Sequence, residues 1–220
     1  MKFKFNFWKN LRQPSTSFYQ LGMVEAIKWP WAKMFLLILF SGLIFTVNAS
    51  FGIGTNILAP HIVTNTLGEL TAQHVYFLLG SLLAGIFFSL FYLFLPTIFF
   101  WSISEESFHK LFIVGMISFL PLLIERVMYL VLVFTLNVEW YYSPFSLGVI
   151  AEEITNLKAI IYFAGAISLF KGWAIYLQFR GLSLLTERRP ALLLFYICFI
   201  HLLFWGASTL LEYIDFTSIL

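Results

Sequence analysis

Apolar residues in this chain gather into five long runs, at 31–47, 75–101, 111–136, 159–179 and 191–214, separated by short polar stretches. Crossing about 30 Å of hydrocarbon takes roughly 20 mostly apolar residues as a helix, so each run is read as a membrane span. The first centres on Met34-Phe35-Leu36-Leu37-Ile38-Leu39-Phe40. In the second, Pro96 near the exit predicts a kink. The third contains Pro121, Glu125 and Arg126, which fits either one kinked helix or two pieces. Lys171 lies inside the fourth, and Pro190 opens the fifth as a favourable first-turn residue. The longest gaps, 48–74 and 137–157, read as loops with room for a turn or two of helix. No internal repeat or low-complexity tract is evident.

Composition agrees with lipid as the solvent. Hydrophobic residues are 60% and charged residues 11% of the chain, against about 45–50% and about 25% in ordinary soluble domains. A soluble domain of this size could not cover that much apolar surface. The 27 phenylalanines suit lipid-facing and interfacial positions. Val47-Asn48-Ala49 resembles a signal-cleavage pattern, but about thirty residues precede the run, so an uncleaved first span is expected. The lone Cys198 excludes an intrachain disulfide and reads as a packing residue.

Charge sets the expected orientation. Lys2, Lys4, Lys9, Arg12, Lys28, Lys33, Lys110, Arg180, Arg188 and Arg189 fall on one side of a five-span chain, and Lys158 alone on the other. Glu69, Glu139, Glu152, Glu153, Glu212 and Asp215 lie on that second side. By the positive-inside rule the N-terminus is cytoplasmic and the C-terminus outside. Residues 1–30 form a basic segment ahead of a transmembrane domain at 31–214. Phe3, Phe7 and Leu11 recur at helical spacing among its cations, which fits an amphipathic helix on an anionic leaflet or equally a frayed tail. Ser15-Thr16-Ser17 is placed to cap a second interfacial helix reaching Lys28.

Ionisable residues inside a membrane are costly and therefore candidates for function. Here they are Glu125, Arg126, Lys171 and His201. At about 1.5 Å per helical residue, Glu125 lies about 21 Å from the cytoplasmic face, Lys171 about 13 Å and His201 about 15 Å. A structural charge pair joining Glu125 to Lys171 or Arg126 competes with a proton or ion relay through Glu125 and His201, and Lys171 also has the reach to snorkel. Gly80, Ala84 and Gly85, with Gly165 and Ala166, offer close helix approach, to a partner or within the bundle.

Catalytic motifs are poorly matched. Glu152-Glu153 resembles the Glu-Glu-x-x-x-Arg motif of CAAX-type intramembrane proteases, but Leu157 stands where Arg is needed. Gly206-Ala207-Ser208 resembles the rhomboid nucleophile motif without a later histidine to act as base. His61 and His74 flank Glu69 at a spacing that fits no metal template, and no phosphate-binding glycine loop is present. A non-enzymatic protein with no cofactor, metal or nucleic-acid partner is expected. A stand-alone carrier would normally have more spans or repeated halves.

The whole pattern resembles the bacterial members of the Yip-type (Ypt-interacting protein) domain family. The likeness rests on the basic segment with Pro14 and Ser17-Phe18-Tyr19, on Pro121 within the third span, on Pro144-Phe145-Ser146-Leu147-Gly148, and on Leu169-Phe170-Lys171-Gly172-Trp173 as a Leu-Phe-x-x-Trp element. Ser168 stands where that element is often preceded by an acidic residue. The resemblance implies an all-α polytopic protein of the plasma membrane, surrounded by lipid. Some bacterial relatives accompany ABC-type exporters that protect against antimicrobial peptides, so the expected role is an accessory subunit or assembly factor beside a permease, an ATPase and a membrane-fusion adaptor. A homo-oligomer also fits. The competing expectation is an intramembrane enzyme or small transporter using Glu125, Lys171 and His201.

Overall fold

The computed structural model describes residues 5–24, 29–52, 67–136 and 143–213. They form nine helices: α1 (Phe7–Arg12), α2 (Pro14–Gly22), α3 (Trp31–Ser50), α4 (Leu67–Ile103), α5 (Phe108–Leu136), α6 (Gly148–Ile154), α7 (Lys158–Gly165), α8 (Leu169–Leu185) and α9 (Pro190–Tyr213). Among the described residues there is no strand, only a bridged residue pair, Ser146 and Ser168. Among the described residues four helices are long and apolar enough to cross a membrane: α3, α4, α5 and α9. The protein is an all-helical membrane protein.

Packing is antiparallel between chain neighbours. Ser41 donates to the Gly85 carbonyl at 2.8 Å, while Trp29 just before α3 and Trp101 near the end of α4 both pack on Phe108, so α3 and α4 run oppositely. Phe119 stacks near Phe88 and Tyr92 while Phe112 meets Phe94, which turns α5 back along α4. The core fills the space between α4, α5, α8 and α9, with Phe100, Phe112, Phe119, Leu177 and Ile197 fully enclosed. Of the apolar stretch of α5, 72% is buried, against 22% for α4. Helix α5 is therefore the centre of the bundle, and α4 turns most of its length outward.

Several expected boundaries move. The second span grows at its start, because α4 begins at Leu67 and its polar opening residues, Glu69 among them, stay helical. The third is one helix, unbroken at Pro121, as α4 is at Pro96; a proline removes one backbone bond, and neighbouring helices can offset the loss. The expected continuous fourth span is corrected: α7 ends at Gly165 and α8 starts at Leu169. Ser168 is extended and caps α8, its Oγ accepting from the Lys171 backbone at 3.2 Å. The break is tied to the preceding loop by Leu147 N to Ile167 O at 3.0 Å and Leu169 N to Phe145 O at 2.9 Å. Thus several backbone groups left open by the interruption find partners within the protein, as burial in lipid favours.

The N-terminal segment is corrected as well. Its second helix begins at Pro14 with Gln13 at the cap, so Ser15-Thr16-Ser17 sits inside the first turn. Phe18 and Leu21 are fully buried against α8 and α5 rather than lying free on a surface. Phe3, Lys28, His61, Glu139 and Asp215 lie outside the described residues.

Close approach explains two glycines. A Cβ on Gly85 would lie 2.8 Å from Gly42 Cα and 2.8 Å from the Ser41 carbonyl. One on Gly181 would meet Val114 at 2.6 Å. Gly80 has nothing within 4 Å, and Ala84 is exposed, so neither packs inside the bundle. Gly85→Ala should therefore cost about 1–3 kcal/mol of stability. Gly80→Ala should be neutral or slightly stabilising through helix propensity. Thermal unfolding in detergent compares the two; equal effects would contradict this packing.

Candidate functional site

The four intramembrane ionisable residues sit on α5, α8 and α9, the helices that share the core. Glu125 is 3% exposed, and its Oε1 accepts the Tyr129 hydroxyl at 2.8 Å, one turn along the same helix. Among the described residues no basic side chain forms an ion pair with it; the pair present is Lys110 with Glu106 at 3.2 Å, far along the chain. The charge pair expected between Glu125 and Lys171 or Arg126 forms no direct ion-pair contact among the described residues, and the hydrogen bond of Glu125 comes from a phenol.

Arg126 turns to rings instead. Its guanidinium carbon lies 4.6 Å from the Phe45 ring centre, and 5.8 Å from those of Phe88 and Tyr129. Aromatic faces hold a desolvated cation by up to about 2 kcal/mol. The Arg126 backbone carbonyl accepts from Asn48 Nδ2 at 3.4 Å, which joins the end of α3 to the same level of α5.

Lys171 donates its ammonium to the Ala166 carbonyl, across the α7–α8 break. A helix C-terminus presents unpaired carbonyls and partial negative charge, so a cation is well placed there. Counted from the observed helix ends, Glu125 lies about 26 Å along α5 and Lys171 about 21 Å along α8, measured from Leu185. By that count the two differ in height by about 5 Å.

His201 takes a separate partner. Its Nε2 is 3.1 Å from Gln178 Oε1, so the ring donates to the amide oxygen. Tyr92 and Trp205 pack on the imidazole with ring centres 5.8 and 6.0 Å away. The nearby cavity lined by Thr97, Gly115 and Gln178 holds about 10 Å³, room for about one water. No hydrogen bond connects this pair to Glu125 among the described residues.

Sequence reading missed Gln178, Tyr129, Tyr92 and Asn48. Gln178 and Asn48 had a signal, since each is an uncharged polar residue in or at the end of an apolar run; the tyrosines had none. Gly165 and Ala166 are both buried at the break. Phe145 and Phe170, from separate motifs, meet edge-to-face at 5.5 Å, while Leu169 is 71% exposed and Trp173 packs on the core. Ser208 is exposed and donates to the Phe204 carbonyl at 2.6 Å.

Comparison with family models, curated proteins and solved structures found no match to this chain.

Tyr129→Phe should cost about 1–3 kcal/mol, because the buried carboxylate loses its donor. Combined with Glu125→Leu, the loss should fall short of the sum of the single changes by about 0.5–3 kcal/mol. Unfolding in mixed micelles measures the cycle, and strict additivity would rule out the bond.

Proposed function

We propose that this protein is a non-enzymatic, multi-pass accessory subunit or assembly factor of the plasma membrane, acting beside an ABC-type exporter of the antimicrobial-peptide-resistance kind. The observation that carries the reading is a contrast between interior and exterior. Inside, Glu125, Arg126, Lys171 and His201 each have a partner within the chain, and the cavity beside Gln178 is water-sized. Outside, α4 is mostly unburied and carries a shallow apolar groove of about 480 Å³ lined by Phe87, Leu90, Phe91, Phe94, Leu95 and Ile98. Such a face suits a neighbouring transmembrane helix, with Gly80 and Ala84 allowing close approach at one end. The resemblance to bacterial Yip-type proteins supplies the partner class: a permease, with its ATPase and membrane-fusion adaptor.

Five crossings are part of this reading. The 17-residue α8 is about 26 Å long and packs between α5 and α9; with α7 it completes the fourth crossing. Lys and Arg then lie on the side of the N-terminus, which is cytoplasmic, and the C-terminus is outside. In a Cys198→Ser background, Lys158→Cys should react with an impermeant thiol reagent on intact cells. Thr16→Cys should react only after permeabilisation, and the reverse pattern would invert the topology.

The interrupted α7–α8 helix beside Lys171 favours a second reading, a small transporter or intramembrane enzyme using Glu125, Lys171 and His201, since broken helices recur at transport sites. Mild solubilisation separates the two. An accessory subunit brings down a permease or ATPase, and Glu125→Gln still does so. A lone stable species that loses activity on Glu125→Gln without losing assembly belongs to the second reading.

A further inference from the structure

The N-terminal segment is held against one end of the bundle by three cations of the bundle itself. Lys33 donates to the Phe5 carbonyl, Lys110 to the Gly22 carbonyl at 3.2 Å, and Arg180 Nη2 to Ser15 Oγ at 3.0 Å. Ser15 thus meets α8 five residues before its end, and Gly22 lies beside Leu184 and Leu185. Helix α2 therefore spans the last 8 Å or so of the bundle. With the end of α8 at the membrane surface, that corresponds to the depth of about 5–10 Å at which interfacial helices sit between headgroups and acyl chains.

The segment is strongly two-sided. Phe5, Asn10, Ser17, Phe18 and Leu21 are buried, while Trp8, Tyr19 and Met23 are 72%, 60% and 64% exposed. Lys9 and Arg12 are exposed among them, with no ion pair among the described residues. Tryptophan and tyrosine beside basic residues is the composition of a membrane–water boundary. Beneath, Asn10 Nδ2, Ser17 Oγ and Arg180 Nε are buried without a hydrogen-bond partner. Asn10 and Ser17 are each 1% exposed. Buried polar groups are normally satisfied, and two of these three atoms are donors only, the third a hydroxyl.

We propose that α1, α2 and the end of α8 form a binding surface for an anionic glycerophospholipid, with Lys9 and Arg12 on its phosphate and Trp8 and Tyr19 in the interfacial layer. The charge selects an anionic headgroup, and the aromatic side chains at membrane-edge depth select a lipid over a soluble acidic partner.

Native mass spectrometry of the purified full chain tests this with phosphatidylglycerol and phosphatidylcholine. The native chain should retain phosphatidylglycerol preferentially, and rising salt should erode the preference. Lys9→Gln with Arg12→Gln should cut it by about fivefold per cation. Trp8→Ala with Tyr19→Ala should weaken retention of both lipids and leave their ratio unchanged. All four side chains are exposed, so unfolding temperatures should not move. Equal retention of the two lipids by the native chain, an unchanged preference in the Gln variant, or displacement by inorganic phosphate would each overturn the proposal. None of these outcomes bears on the accessory-subunit reading, whose readout is co-purification.

Discussion

The hydrocarbon of a bilayer offers no hydrogen bonds, so a polar group carried into this bundle is costly unless it finds a partner inside the chain. The arrangement of α5, α8 and α9 follows from that constraint. Glu125 is answered by Tyr129, Arg126 by a ring of aromatic faces, Lys171 by the open carbonyl of Ala166, and His201 by Gln178. Each solution pairs a costly group with something close in sequence or directly across a helix contact. None relies on a contact ion pair, whose two desolvated charges would both need compensation.

The same constraint explains how a helix can be broken at Ser168. An interruption frees carbonyls and amides, which lipid would leave unpaired. Here the loop at 143–147 runs alongside the break and takes two backbone bonds, Ser168 caps the new helix, and Lys171 covers a freed carbonyl. The break is thus a built feature of the bundle. Elsewhere the backbone contact between Gly42 and Gly85 brings α3 against α4, with packing in place of any hydrophobic driving force between helices in lipid.

Burial divides the molecule into a fixed interior and an outward-facing exterior. Helix α5 is enclosed, whereas α4 spends most of its apolar length outward and the N-terminal helices expose aromatic and basic residues at one end. An accessory role uses that exterior. A transport role would need the interior groups to part and re-pair, at a cost set by the bonds they now make.

The class of protein, the extent of α3, α5 and α9, and the identity of the buried charges were legible from the chain alone. A long apolar run must be a helix in lipid, and a charged residue within one is conspicuous. Pairing was not legible, because it depends on which helix faces which. Glu125 and Lys171 looked about 8 Å apart in height, yet the phenol of Tyr129 lay closer than any cation. The α7–α8 break escaped because Gly165, Ala166 and Ser168 tolerate helix, and only the loop bridging from Ser146 makes the extended alternative worthwhile. Gly80 and Gly85 read alike in sequence, and only the approach of α3 separates them. Hydrophobic length and charge thus determined that this chain spans a membrane. Tertiary contact alone decided where each polar group and each bare glycine finds its neighbour, since those choices depend on atoms far away along the chain.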